Sequence, residues 1–200
     1  MTGPQPLPAE AQRVLDFWFG APGSAQWNTN RKAWFTRSAE FDATVRAAFL
    51  PLWEAMRAGA HEDWAQTAPG ACARIVVLDQ MPRNMFRHDA RSFATDAQAL
   101  QAARLMVAGG ADRALPTPFH RLFCYMPFEH AESLAGQAES VRLMTALRDD
   151  SGGEVDTVAW ALRHQAVVAR FGRFPHRNAV LGRESTPQET AFLREPGSSF

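Results

Sequence analysis

The feature that most constrains the fold is a helical spacing of apolar residues along almost the whole chain. The repeat is clear near the start, at Val14, Leu15, Trp18 and Phe19. Gly20 follows as a stop signal for this first helix. No pair of segments with alternating polarity and a turn between them indicates a β-hairpin. The pattern predicts an all-α protein.

The same spacing places seven or eight helices along the chain. They are expected at 14–19, 41–56, 71–80, 93–107, 119–126, 127–147 and 155–171, with a short last helix after residue 186. Ser38 is expected to cap the second helix and Pro51 to kink it. Pro127 suits a first helical turn, so a helix boundary is expected there. Thr186 and Glu189 form a capping-box pattern for the last helix.

The short connections predict antiparallel helical hairpins. Stacked hairpins would give a superhelical, repeat-like array, and a closed bundle is the other arrangement that the residues allow. No 34-residue self-similarity is present, so any repeat is structural only. A length of 200 residues fits a single domain, residues 1–200.

The charge balance excludes several classes of function. Lys plus Arg and Asp plus Glu both total 21, and this zero net charge argues against a nucleic-acid partner. No apolar run is long enough to span a bilayer, and the first residues lack a signal-peptide pattern. Cys72 and Cys124 lie in apolar stretches, as free thiols of a reducing compartment do. We therefore expect a cytoplasmic protein without membrane contact.

Lys32 is the only lysine, so arginine supplies nearly all of the positive charge. The chain has no phosphate-binding loop motif, and only this one residue could form a Schiff base. It also lacks the paired Cys and His spacings of metal sites, so neither a metal nor a cofactor is predicted. Arginine favours two-point recognition of carboxylate or phosphate groups.

One cluster of polar residues follows the most apolar helix. It comprises Asp79, Gln80, Arg83, Asn84 and Arg87. Spacings of four residues would place pairs of these side chains on one side of a continuing helix. They are candidates for ligand binding, although a structural Asp79–Arg83 salt bridge would explain the pattern equally simply.

A second cluster lies near the middle of the chain, at Tyr125, Glu129, His130 and Glu132. Two carboxylates beside a histidine could perform acid–base chemistry. If a helix starts here, the carboxylates could instead only stabilise its N-terminus.

The third cluster carries five arginines and two histidines with no acidic residue between positions 163 and 183. Its members include His164, Arg170, Arg173, His176, Arg177 and Asn178. Such a block of positive charge needs either carboxylates from elsewhere in the fold or a bound anion. Ser185 and Thr186 beyond it are best explained as helix caps.

Four strings resemble a known family, the bacterial domain-of-unknown-function family 924. They are VLDFWFG, LDQMPRN, MPFEHAES and RFGRFPHRNAVLGRESTPQE, and the resemblance runs from Val14 to Phe200. The resemblance implies a tetratricopeptide-like helical array, and it therefore favours stacked hairpins rather than a closed bundle. It implies no reaction and no catalytic residues.

These observations favour a site for a small anionic molecule, carboxylate or phosphate, with possible acid–base chemistry. Arg83, Arg173 and Arg177 would hold the anion, and Asn84 and Asn178 would orient it. The proton-transfer candidates are Glu129, His130, His164 and His176. One alternative is an interaction module that grips acidic or C-terminal peptides and has no catalytic activity. Another is a purely structural network in which protein carboxylates saturate every arginine.

Overall fold

The computed structural model of the chain describes residues 6–198, which are helical and include no β-strand. Its α-helices are α1 (Ala9–Phe19), α2 (Ala39–Arg57), α3 (Ala68–Ile75), α4 (Met81–Met85), α5 (Asp96–Ala108), α6 (Pro118–Glu129), α7 (Leu134–Asp150), α8 (Val158–Phe171) and α9 (Pro187–Phe192). A π turn, Val76–Gln80, joins α3 and α4 into one run. With α3 and α4 counted as one continuous run, the nine α-helices of the described residues form eight separate helical segments. The predicted all-α class is confirmed. The outermost parts of the expected domain, residues 1–5 and 199–200, lie outside the described residues.

Several helix ends follow the sequence signals. Gly20 ends α1 with a positive φ of 82°, and the Ser38 side chain caps α2 by accepting a hydrogen bond from the Phe41 backbone nitrogen. The capping box of α9 is complete, with both Thr186 and Glu189 making their bonds. Short polar side chains before a helix satisfy backbone N–H groups that otherwise lack a partner, which is why these signals are reliable.

The prediction that a helix begins at Pro127 is wrong. Pro127 lies inside α6, near its C-terminal end. The next helix begins after Ser133, whose hydroxyl caps it by accepting a hydrogen bond from the Gly136 nitrogen at 3.1 Å. A proline near a helix end removes only one backbone bond, so the Ser133 cap determines the boundary. Glu129 and His130 therefore end a helix, and stabilisation of an N-terminus does not explain them.

Helix α3 is the centre of the molecule, as its apolar sequence predicts. It packs against α1, α5 and α6, and Cys72 of α3 and Cys124 of α6 are both buried free thiols. Large side chains such as Trp18 and Trp53 are almost wholly buried in the surrounding core. Each contributes roughly 2–3 kcal/mol of hydrophobic stabilisation.

The C-terminal helices form a succession of packed neighbours around this core. Helix α7 packs against both α6 and α8, across the short connections 130–133 and 151–157. A smaller apolar cluster of Val167, Val168 and Phe174 lies at the end of α8. This arrangement brings the end of α6, the end of α8 and the loop after it towards the π turn. None of the helices in residues 6–198 is long and apolar enough to cross a membrane.

Candidate functional site

Asp79 lies in the π turn and is completely buried. His130 Nδ1 lies 2.9 Å from its Oδ1 and 3.0 Å from its Oδ2, and the Gln80 amide donates to the same carboxylate. Arg83 Nη1 is 3.5 Å from Oδ1. Burial by itself would raise the pKa of Asp79, but Arg83 and His130 together lower it to about 2. Asp79 is thus a buried anion that orients a histidine.

Asp96, the first residue of α5, joins two arginines from distant parts of the chain. Arg83 donates to its two oxygens at 3.0 and 3.1 Å in a planar, two-point pair. Arg177 Nη1 donates to one of them at 3.3 Å. Sequence analysis missed Asp96 because a single aspartate in the first turn of an alanine-rich helix looks like ordinary helix stabilisation.

Arg177 is held between two aromatic rings. Its guanidinium carbon lies 4.6 Å from the ring centres of both Phe93 and Phe174, and the side chain is only 8% exposed. Its buried Nε has no hydrogen-bond partner among the described residues. Burial, with a contribution from the charge of Arg83, lowers the pKa of Arg177 to about 10. Burial of this charged group is unfavourable, and the bond from Arg177 to Asp96 offsets that cost only in part.

Glu129 is a buried carboxyl group at the end of α6. Its Oε1 lies 3.7 Å from His164 Nδ1, and its buried Oε2 has no hydrogen-bond partner among residues 6–198. Burial, and then the charge of Asp79, raises the pKa of Glu129 to about 8. Glu129 is therefore mostly protonated at neutral pH.

The histidines around these groups are neutral at neutral pH. Burial lowers the pKa of His164 to about 3 and that of His176 to about 4, the latter with help from Arg177. His164 Nδ1 lies 2.9 Å from the Trp160 carbonyl oxygen, which requires a proton on that nitrogen. Burial and Arg83 also lower the pKa of His130, against the opposing effect of Asp79. These imidazole rings therefore carry no positive charge at neutral pH, and His164 and His176, both predicted as proton-transfer residues, are weak bases.

Glu132 holds the loop that carries Arg177. Its Oε1 accepts a hydrogen bond from the Phe174 backbone nitrogen at 2.8 Å, and its two oxygens pair with Arg183 at 2.7 and 2.9 Å. In the same loop, Asn178 Nδ2 donates to Ser185 Oγ at 3.1 Å. Glu132 and Asn178 therefore shape the loop around Arg177.

The structure places three other predicted site residues away from Asp79 and the residues around it. Asn84 and Arg87 both bind Asp42 of α2. Tyr125 donates its hydroxyl hydrogen to the buried Asp112. These three side chains are engaged in links between helices.

Arg170 and Arg173 also lie apart from the buried group. Arg173 forms a two-point pair with Glu189 at 2.7 and 2.8 Å, and Arg170 lies over the rings of Phe171 and Phe192. Both arginines line an open concavity of about 490 Å³ together with Phe171, Thr186, Gln188 and Glu189. Of the predicted arginines, Arg83 and Arg177 thus lie near Asp79, Arg170 and Arg173 line a surface depression, and Arg87 links two helices.

We call the buried group the Asp79 cluster; its members are Asp79, Arg83, Asp96, Glu129, His130, His164, His176 and Arg177. It combines ions in a desolvated environment with a protonated carboxyl and neutral imidazoles, a combination that occurs at functional sites more often than elsewhere. The fold and the cluster thus define an all-helical protein with a buried polar centre at the meeting point of α4, α5, α6 and α8.

The chain belongs to the family described as bacterial protein of unknown function (DUF924), whose model matches residues 14–197. The expected family membership is therefore confirmed. A similar solved structure is that of ATU0120, a protein of unknown function from Agrobacterium tumefaciens. It is 35% identical, covers 92% of this chain and 96% of its own, and superposes with a TM-score of 0.77. A comparison with curated proteins finds no match.

Proposed function

We propose that the Asp79 cluster binds a small molecule with an anionic group, carboxylate or phosphate, and transfers a proton to or from it. Arg177, assisted by Arg83, holds the anionic group. Glu129 is the proton donor, and His130, oriented by Asp79, is the proton acceptor.

One observation carries the proposal: Arg177 is the buried arginine whose hydrogen-bonding capacity the cluster leaves incomplete. A purely structural network would saturate its arginines, and Arg83 and Arg173 do each form a two-point pair with a carboxylate. Arg183 also forms such a pair, with Glu132, although its Nε is buried without a partner among the described residues. Arg177 instead has one bond of 3.3 Å and an unpartnered, buried Nε. Buried polar atoms without partners carry a cost of roughly 1–3 kcal/mol, and a bound ligand can remove it.

The protonation states support proton transfer. General acids work best with a pKa near the working pH, and that of Glu129 is about 8. His130 faces the carboxylate of Asp79, which fixes the ring and stabilises the imidazolium that forms when the other nitrogen accepts a proton. A neutral acid and an oriented neutral base thus lie near one another in a water-poor site.

Native mass spectrometry of the freshly purified protein tests the proposal. We expect a small acidic molecule to be released on denaturation of the wild type and of R142M, but to be absent from R177M. Arg142 is a suitable control because it pairs with Glu139 on the surface. Retention of the molecule by folded R177M would refute the role of Arg177, and R177K provides a second variant that keeps the charge.

A second candidate function is the interaction module, in the tetratricopeptide-like arrangement that the family resemblance implies. The open depression beside α9 favours it, because Arg170 is exposed there next to an aromatic side chain, Phe171. An acidic or C-terminal peptide could pair with this arginine. Binding of acidic peptides that R170A abolishes and R177M leaves intact would favour the module over the buried site.

A further inference from the structure

The carboxylate of Asp96 occupies the space between the two arginines of the Asp79 cluster. It receives three hydrogen bonds, at 3.0 and 3.1 Å from Arg83 and at 3.3 Å from Arg177. The Arg83 pair is the planar fork that guanidinium groups form with two-oxygen acids. The arginines are therefore already arranged around one carboxylate.

Asp96 is the more exposed of the two acids that balance these arginines. Its side chain is 21% exposed, whereas that of Asp79 is completely buried. The backbone beside it is fixed, because the buried Thr95 hydroxyl accepts a hydrogen bond from the Trp53 ring nitrogen at 3.1 Å. A rotation of the Asp96 side chain alone would move its carboxylate towards solvent and leave the helix in place.

The charges of the cluster restrict what can replace this carboxylate. Arg83 and Arg177 balance Asp79 and Asp96, while Glu129 and the histidines are neutral at neutral pH. A ligand monoanion in the place of Asp96 keeps this balance. A phosphate dianion would add an uncompensated charge close to the completely buried Asp79, which disfavours it.

We infer that Asp96 stands in for the ligand, so that the group bound by Arg83 and Arg177 is a carboxylate that displaces the Asp96 side chain. This inference rests on the proposed function and makes it narrower, because it selects carboxylic acids over phosphate esters. It also makes Asp96 a specificity-determining residue that competes with weak ligands and yields to those that make further contacts.

Chemical rescue of D96A tests the inference. Removal of the side chain leaves a carboxylate-sized space between two arginines, so we expect D96A to unfold at a lower temperature than the wild type. Formate or acetate should restore the unfolding temperature with a saturable dependence, and phosphate at equal ionic strength should bind about tenfold or more weakly. D96S covers the case in which D96A does not fold, because its shorter side chain also leaves the space between the two arginines open to formate.

The matched control is D89A. Asp89 also forms a two-point contact with an arginine, Arg91, but both side chains are exposed on the surface. An equal response of D89A and D96A to formate would show general salt effects and overturn the inference. Tighter binding of phosphate than formate by D96A would also overturn it, while leaving the proposed anion site intact. A third outcome separates the two proposals. If wild-type protein carries no small molecule in native mass spectrometry and formate only rescues D96A, the result would contradict the proposed function.

Discussion

At the scale of single residues, Glu129 and Asp79 link folding to pH in opposite directions. Glu129 has a pKa of about 8 in the folded protein, above its ordinary value of 4.5, so folding favours its protonated form. Asp79 has a pKa of about 2, below its ordinary 3.8, so folding favours its ionised form. The stability from Asp79 is present above pH 4 and is lost as the pH falls towards 2. The penalty from Glu129 grows as the pH rises from about 4.5 to 8.

Between pH 5 and pH 8, we expect the stability of E129Q to rise relative to that of the wild type. The unfolded glutamate ionises in this window while the folded one does not, so the wild type should lose roughly 3–4 kcal/mol of unfolding free energy relative to E129Q. Glutamine cannot ionise. Chemical denaturation at several pH values checks the slope, with the exposed Glu195→Gln as control. Parallel profiles for E129Q and the wild type would show that Glu129 is ionised in the folded protein.

D79N should destabilise the protein by about 3–5 kcal/mol at pH 7, because it leaves Arg83 and His130 facing a neutral amide in a buried position. D89N removes a carboxylate from a comparable aspartate–arginine pair, but that pair is exposed on the surface. Such pairs contribute about 1 kcal/mol or less. Denaturant titrations of the two variants should therefore differ clearly, and equal effects would contradict the buried ionic role of Asp79.

At the scale of elements, the loop between α8 and α9 depends on Glu132. E132Q removes the negative charge that binds Arg183 and the Phe174 backbone nitrogen. We expect the amides of residues 173–183 to exchange hydrogen roughly tenfold faster or more, since charge-assisted bonds contribute about 1.5–3 kcal/mol each. E139Q, which breaks a similar pair with Arg142, should leave this loop unchanged. Unchanged protection in E132Q would show that apolar packing alone holds the loop.

Local signals predicted the elements well where one side chain decides the outcome. The Ser38 cap and the capping box that begins at Thr186 are examples. Prediction failed at Pro127, where two local signals compete and a proline near a helix end costs little. It also failed to find Asp96, because the role of this residue arises from Arg83 and from Arg177, which is 81 positions away. Contacts over such distances leave no local pattern.

At the scale of the whole molecule, the described chain should unfold as one unit. The main apolar core extends from Ala11 in α1 to Ala161 in α8, and the Asp96–Arg177 bond ties the last loop to it. We expect tryptophan fluorescence and far-ultraviolet circular dichroism to give coincident denaturation curves. A loss of helical signal before the fluorescence change would indicate that the C-terminal helices separate first, and that the predicted single domain is divided.

The π turn between α3 and α4 changes the direction in which the side chains of this helical run point before and after it. Its wider winding holds one residue more than an α-helical turn, and each residue corresponds to a rotation of about 100°. Before the turn the run contributes to the hydrophobic core, as Cys72 and Ile75 do. From the turn onwards it supplies both core residues, such as Met81, and the polar Asp79 and Arg83. A single-codon deletion in 76–80 would put the two halves back in one phase and turn Asp79 and Arg83 away from their partners. The contacts of the Asp79 cluster thus depend on the helix phase that the π turn sets, and a side-chain substitution elsewhere could not restore that phase.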